Sequence, residues 1–204
     1  MLHNAIVFEQ TQEDSLTDPL TGLPNRRSMF VHLSRELSRA ERLKKEVALI
    51  VMDVDGFKTI NDSYGHHVGD HALREVSLAL QGTLRPYDLC VRYAGDEFIV
   101  VLTDCSREGV ELKRLELQER VAQIEFEVRP GKQMALALSA GAAVFPYDGT
   151  TYETLLAEAD HRMYRDKAAR RGEDRPRTMP INNEFGIESF DPETPNPTSA
   201  QSIN

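Results

Sequence analysis

Apolar positions along this chain follow two alternating rhythms. After the turn-forming run Asp18-Pro19-Leu20-Thr21-Gly22-Leu23-Pro24, Asn25 is placed to cap a helix whose Met29, Leu33, Leu37 and Ala40 fall on one face. Residues 46–54 are almost continuously apolar and end in acids, which predicts a strand buried on both sides. Helical spacing returns at Ala72, Leu73, Val76 and Leu80. Residues 88–93 and 97–103 are β-rich and flank Ala94-Gly95-Asp96, the pattern of a hairpin. A helix is expected over 107–124 and a strand with a small-residue middle over 134–145. Tyr152, Leu155, Leu156, Ala159 and Met163 mark a last amphipathic helix. The order α-β-α-β-β-α-β-α predicts an α/β fold with a central mixed β-sheet flanked by helices, and there is no internal repeat.

The ends differ from this middle. Residues 1–15 read as the end of a helix or a linker, 16–172 as one domain, and 173–204 as a mostly disordered tail. That tail holds five of the ten prolines and too few large apolar residues to offset chain entropy. Its Phe185, Ile187 and Phe190 are expected to dock loosely on the domain, or to serve as a short recognition motif. A hydrophobic fraction of 40% over 204 residues is enough for one buried core. The net charge of −9 argues against a nucleic-acid polymer as partner, but not against a nucleotide, whose phosphates Mg²⁺ can bridge to acidic side chains. Cys90 and Cys105 make no disulfide framework. With no membrane segment and no basic flank of a signal peptide at Met1-Leu2-His3-Asn4, a cytoplasmic location is expected.

Four stretches carry chemistry. Asp53-Val54-Asp55-Gly56-Phe57-Lys58 closes the apolar strand, so Asp53 and Asp55 share one face and can begin a Mg²⁺ site. Acids at strand ends also serve as caps or solvated loop residues. Asn61 to Asp70 reads as a tightly turned loop feeding a helix, and the donor and acceptor of Asn61 with the two acceptors of Asp70 suit a guanine edge. Arg92-Tyr93-Ala94-Gly95-Asp96-Glu97-Phe98 puts paired acids on the hairpin, where sheet pairing can bring them beside Asp53. Finally, residues 162–177 hold seven basic and three acidic residues, and Lys167 and Arg171 lie one helical turn apart, suited either to a triphosphate or to a solvated helix face.

Together these stretches resemble the GGDEF family over about residues 16–172. The matching elements are D-x-L-T at Asp18–Thr21, D-x-D-x-F-K-x-I-N-D from Asp53 to Asp62, G-H-x-x-G-D from Gly65 to Asp70, the signature Ala94 to Phe98, and A-D-x-x-M-Y-x-x-K from Ala159 to Lys167. The resemblance implies a palm-like fold and a diguanylate cyclase that condenses two GTP into cyclic di-GMP, working as a homodimer. It implies Mg²⁺, or Mn²⁺ in its place, held by Asp53, the Val54 carbonyl and Asp96, with Glu97 as a further ligand or proton acceptor. It implies guanine contacts at Asn61 and Asp70, phosphate contacts at Lys58, Lys167 and Arg171, and a pocket lined by Phe57, His66 and the Gly95 backbone. Arg85-Pro86-Tyr87-Asp88 fits R-x-x-D five residues before Ala94, where the family carries an inhibitory product site, and Arg120 is the expected second basic contact there.

One departure bears on activity. Ala94 stands where the family usually has glycine, and a positive φ at that position would cost alanine on the order of 1 kcal/mol. The alternative to an enzyme is therefore a catalytically silent module that binds cyclic di-GMP or GTP and signals through a partner.

Overall fold

The computed structural model describes residues 16–172, so the expected N-terminal linker and C-terminal tail lie outside the described residues. Helix α1 spans Arg26–Leu43; the Asn25 side chain accepts from the Ser28 amide at 3.1 Å, the cap its sequence position predicts. Strand β1 is Val47–Val54, buried throughout except at Asp53. Then come α2 (Phe57–Tyr64), α3 (His66–Gln81), β2 (Leu89–Ala94), β3 (Glu97–Thr103) and α4 (Arg107–Ala122). A small pair, β4 (Phe126–Arg129) with β5 (Lys132–Met134), precedes β6 (Leu138–Phe145) and α5 (Tyr152–Arg171).

The four-stranded sheet has the order β2-β3-β1-β6, and every ladder in it is antiparallel. The α/β class stands, but the expected mixed sheet does not. Helices α2 and α3 carry the chain from β1 to β2, and α4 from β3 towards β6, yet in each case another strand sits between the two that are joined. Two split β-α-β units thus interleave, and neighbours end up antiparallel.

Three local expectations also change. The stretch 61–70 is helical on both sides of a single break at Gly65, whose φ of 87° suits glycine alone, so it is two helices rather than a loop feeding one. The strand expected over 134–145 is divided, with Met134 closing β5 and β6 starting at Leu138. The β4–β5 hairpin was not anticipated. Phe126 and Val128 alternate inward and Pro130-Gly131 turns the chain, but a run this short lacks a strong periodic signal.

The period of two along β1 sorts the core. Ala48, Ile50, Met52 and Val54 pack with Leu73, Val76, Leu80, Leu117 and Phe126, on the face covered by α3 and α4. Val47, Leu49 and Val51 pack with Met29, Leu33, Leu155, Ala159 and Met163, on the face covered by α1 and α5. Asp53 continues this second set. Helix α5 lies directly on β6: a Cβ built at Gly141 would stand 2.1 Å from the Met163 nitrogen and 2.2 Å from the Ala159 oxygen.

Candidate active site

The register of the sheet assembles the acids. Asp53 on β1 is the cross-strand partner of Glu97 on β3 and of Ser139 on β6. All three positions belong to the face that α5 covers, and α5 supplies Lys167, whose ammonium forms an ion pair with Asp53. One residue on, the Val54 amide donates to the Asp96 carbonyl at 3.2 Å, which ties the end of β1 to the hairpin turn. Asp55 accepts from the Ser139 hydroxyl at 2.6 Å, and its amide donates to the Ala137 carbonyl. Asp53, Val54, Asp96 and Glu97 are therefore brought together.

This cluster is short of positive charge. Burial pushes the Glu97 carboxyl up, and the neighbouring Asp53, Asp160 and Asp96 push it further, against Lys167. Burial likewise raises the Asp53 carboxyl, with Lys167 opposing and Asp96 and Asp55 adding to the rise. Half-buried Asp160 on α5 is raised by burial as well. Among the described residues no three His, Cys, Asp or Glu side chains are gathered into a ready-made metal cage. Carboxylate and carbonyl oxygens at a crowded negative site are nonetheless the donor chemistry that Mg²⁺ takes, and the raised carboxyls mark the charge deficit such an ion would relieve.

The hairpin turn is held from below by a clamp that the sequence did not reveal as one. Arg92 donates from Nε and Nη2 to the Gly95 carbonyl at 2.9 and 2.8 Å, and from Nη1 to both Asp18 oxygens at 3.0 Å. Asp18 in turn accepts from the Thr21 amide and hydroxyl at 2.8 and 2.7 Å. The D-x-L-T element is thus a carboxylate fixed by its own turn and aimed at an arginine 74 residues away. Gly95 has φ of 50°, which glycine tolerates best. Ala94 is the last residue of β2 and is not among the described non-glycine residues with positive φ, so the alanine of the signature carries no backbone penalty.

Beside the acids, α2 and α3 meet at an angle set by Gly65. Phe57 and Lys58 open α2, with Phe57 half-buried against the core and Lys58 exposed. The Asn61 Oδ1 is buried without a hydrogen-bond partner, an arrangement that costs about 1–3 kcal/mol unless something meets it. It lies against Gly69, where a Cβ would stand only 2.0 Å away. His66 is exposed at the start of α3, and Asp70 is half-buried one turn on. Arg171 is exposed, the last residue of α5.

The R-x-x-D residues lie elsewhere. Asp88 accepts from the Arg85 amide at 3.1 Å in the exposed turn before β2. That places them roughly 20 Å from the signature, at about 3.3 Å per strand residue. Lys113 on α4 reaches this loop through the Thr83 carbonyl at 3.0 Å, while Arg120 is exposed about two turns further along the same helix.

Acids on a hairpin, a lysine from α5 and an Asn–Gly contact on a broken helix are what the described residues offer a ligand, and comparison with known proteins gives the chain a family. The model of the diguanylate cyclase GGDEF domain matches residues 15–173, and the chain belongs to that family. It is 38% identical over 170 residues to the diguanylate cyclase DosC of Escherichia coli, covering 83% of this chain and 36% of DosC. It is 36% identical to the response regulator PleD of Caulobacter vibrioides, covering 80% of this chain and 36% of that one. The chain thus spans about a third of the length of these relatives. The GGDEF domain of TpbB from Pseudomonas aeruginosa is similar in structure, with TM-score 0.71 and 34% identity over 75% of this chain and 89% of that one. The GGDEF domain of DgcB from Caulobacter crescentus, solved with c-di-GMP, gives TM-score 0.70 and 28% identity over 79% and 94%. No helix among the described residues is long and apolar enough to cross a membrane.

Proposed function

We propose that this domain is a diguanylate cyclase, joining two GTP into cyclic di-GMP with release of two pyrophosphates. The observation that carries this reading is the set Asp53, Asp96, Glu97 and Lys167, gathered from the β1–β3 register, the β2–β3 turn and α5 at one end of the sheet. A Mg²⁺ ion, or Mn²⁺, would be held by Asp53, the Val54 carbonyl and Asp96, with Glu97 beside them. Such an ion supplies a lowered pKa for an attacking hydroxyl and neutralises charge on the transferring phosphoryl group.

The chain's own residues do the rest. Asn61, whose buried oxygen has no internal partner, and Asp70 read the guanine, with Asp70 accepting from its N1 and N2 donors, a pattern adenine does not present. Phe57 and His66 line the pocket, and the Gly95 backbone approaches the ligand. Lys58, Lys167 and Arg171 meet the phosphates. Each 3′-oxygen forms a bond to the α-phosphorus of the other nucleotide while the bond to the departing pyrophosphate breaks, and the hydroxyl proton leaves to Glu97 or water. Two such bonds close the ring. One subunit holds one GTP, so two subunits must face each other.

Product control fits the second site. Cyclic di-GMP bound at Arg85 and Asp88, with Arg120 or the nearer Lys113, would act at a distance from the substrate and inhibit without competing with GTP. The silent-module reading rests on Ala94, and a backbone there that needs no positive φ supports the enzyme instead.

The test is incubation of the purified chain with GTP and Mg²⁺ and identification of the product by mass. Cyclic di-GMP from the parent chain and none from a folded Asp96→Ala variant is the expected pair of results. Full activity with normal magnesium dependence in Asp96→Ala would sink the metal site; cyclic di-GMP binding without turnover in the parent chain would favour the silent module.

A further inference from the structure

Lys167 reaches Asp53 only if α5 sits at one axial position over β6, and the close approach at Gly141 limits distance rather than sliding. The residue next to it, Asp166, supplies the missing restraint. A single oxygen, Asp166 Oδ2, accepts from the Ala140 amide at 2.9 Å, from Gln118 Nε2 at 2.7 Å and from Arg170 Nε at 3.2 Å. Ala140 immediately follows Ser139, the residue in register with Asp53. The pin therefore sits one residue from the catalytic register.

Gln118 makes the pin rigid. It is 6% exposed on α4, a position where an amide must find partners or destabilise the fold. Its Nε2 also donates to the Leu138 carbonyl at 2.9 Å, and its Oε1 accepts from Arg114 at 2.9 Å. Leu138, Ala140 and α5 are thereby tied to α4 through one side chain. Ordinary edge capping of β6 would need a partner for the Ala140 amide, but not one shared with a buried amide from a third element.

We propose that Asp166, locked by Gln118, is a positioning residue that fixes the register of α5 and so delivers Lys167 to Asp53 and to the nucleotide phosphates. This rests on the cyclase reading for its kinetic consequence, but its structural consequence does not.

The variants are Asp166→Ala and Asp166→Asn in the full chain, with Lys167→Ala alone and combined with Asp166→Ala. Because all three donors meet one oxygen, the carbonyl of asparagine can replace it, and Asp166→Asn retains near-parental behaviour. Asp166→Ala is expected to raise KM for GTP by about tenfold with a smaller change in kcat, since a catalytic side chain displaced by a fraction of an ångström loses about that much or more. In the double variant the two losses do not multiply, because one acts through the other.

A second readout needs no turnover. In ¹⁵N-lysine-labelled protein the Lys167 ammonium signal, assigned by its loss in Lys167→Ala, is slowed in exchange by Asp53 in the parent and in Asp166→Asn, and accelerates in Asp166→Ala. If the chain makes no cyclic di-GMP yet this signal responds as described, the cyclase reading fails and the positioning role stands. Unchanged ammonium exchange in Asp166→Ala, multiplicative kinetic losses, or an Asp166→Asn variant as impaired as alanine would each overturn it.

Discussion

Replacing Arg92 with alanine isolates the clamp under the signature turn. Arg92 and Asp18 are only 15% and 17% exposed, and the guanidinium satisfies both the carboxylate and the Gly95 carbonyl. Removing one partner of a buried ion pair costs about 3–5 kcal/mol. Thr21 still donates twice to Asp18 and some water reaches it, so about 2–3 kcal/mol is the reasonable figure here, or a Tm lower by about 5–10 °C for a domain of this size. Freeing the Gly95 carbonyl lets the turn bearing Asp96 shift, and a shift of about 1 Å costs roughly 100-fold in rate. Arg92→Lys separates the two effects: an ammonium restores the pair with Asp18 but not the fork onto Gly95, so most of the stability returns and the activity does not.

The same pair has a pH signature. Burial pushes the Asp18 carboxyl up, but the Thr21 hydroxyl and amide and the Arg92 guanidinium outweigh it, leaving Asp18 below the ordinary value of 3.8. A carboxylate depressed on folding stabilises fully above its unfolded value, and that contribution is lost as pH falls through its folded value. The stability gap between the parent and Arg92→Ala, measured by urea denaturation, therefore narrows below about pH 4. An Arg92→Ala protein with parental kcat and a Tm within about 1 °C would refute the clamp.

Gly69→Ala should displace Asn61, because the new methyl would lie 2.0 Å from its Oδ1, and lower affinity for a non-hydrolysable GTP analogue about tenfold or more; calorimetric titration at parental affinity would contradict this. Gly141→Ala meets backbone atoms of α5 rather than flexible side chains, so a loss of about 3 kcal/mol is expected in denaturant melts, and a neutral effect would show that α5 lies further from β6. The Asp148 side chain is 4% exposed, its carboxyl raised by burial but held below the usual range by Arg162, the Val144 amide and Arg107. Asp148→Asn should then cost about 2–3 kcal/mol at neutral pH and progressively less as pH falls below about 4 and through the lower folded value, and a pH-independent difference would show that charge is not what Asp148 contributes.

What was legible in the sequence was what local pattern controls. The run 47–54 reads as a buried strand because both of its faces are covered, and the parity of Asp53 with Val51 fixes which face it joins. Asn25 reads as a cap because capping needs only its own neighbours. The site residues from Asp53 to Asp70 and from Ala94 to Glu97 were visible as motifs, although the loop expected around Asn61 is helix interrupted at Gly65. What escaped was non-local or brief. The Arg92–Asp18 clamp joins residues 74 apart, Gln118 meets Asp166 across 48, and β4 and β5 are too short to announce a period. The backbone at Ala94 could not be read from its identity, because the need for glycine there depends on where the hairpin turns.

Strand parity also explains why the charge cluster lies at this end of this sheet. Asp53 and Glu97 face each other across β1 and β3, and both lie on the side that α5 covers, so α5 carries Lys167, 114 residues away in sequence, to Asp53. A slip of one residue in the β1–β3 ladder would turn Asp53 towards α3 and α4, against the apolar side chains of Leu73, Val76 and Leu117. There the carboxylate would have no cation and would cost several kcal/mol to bury. The hydrophobic alternation that builds the core therefore also selects the register in which the acids are adjacent and opposite Lys167. Folding energy and the geometry of the proposed site are constrained by the same ladder, and the residues that look purely structural, Val51, Ile99 and Ala143, hold the charge cluster in place.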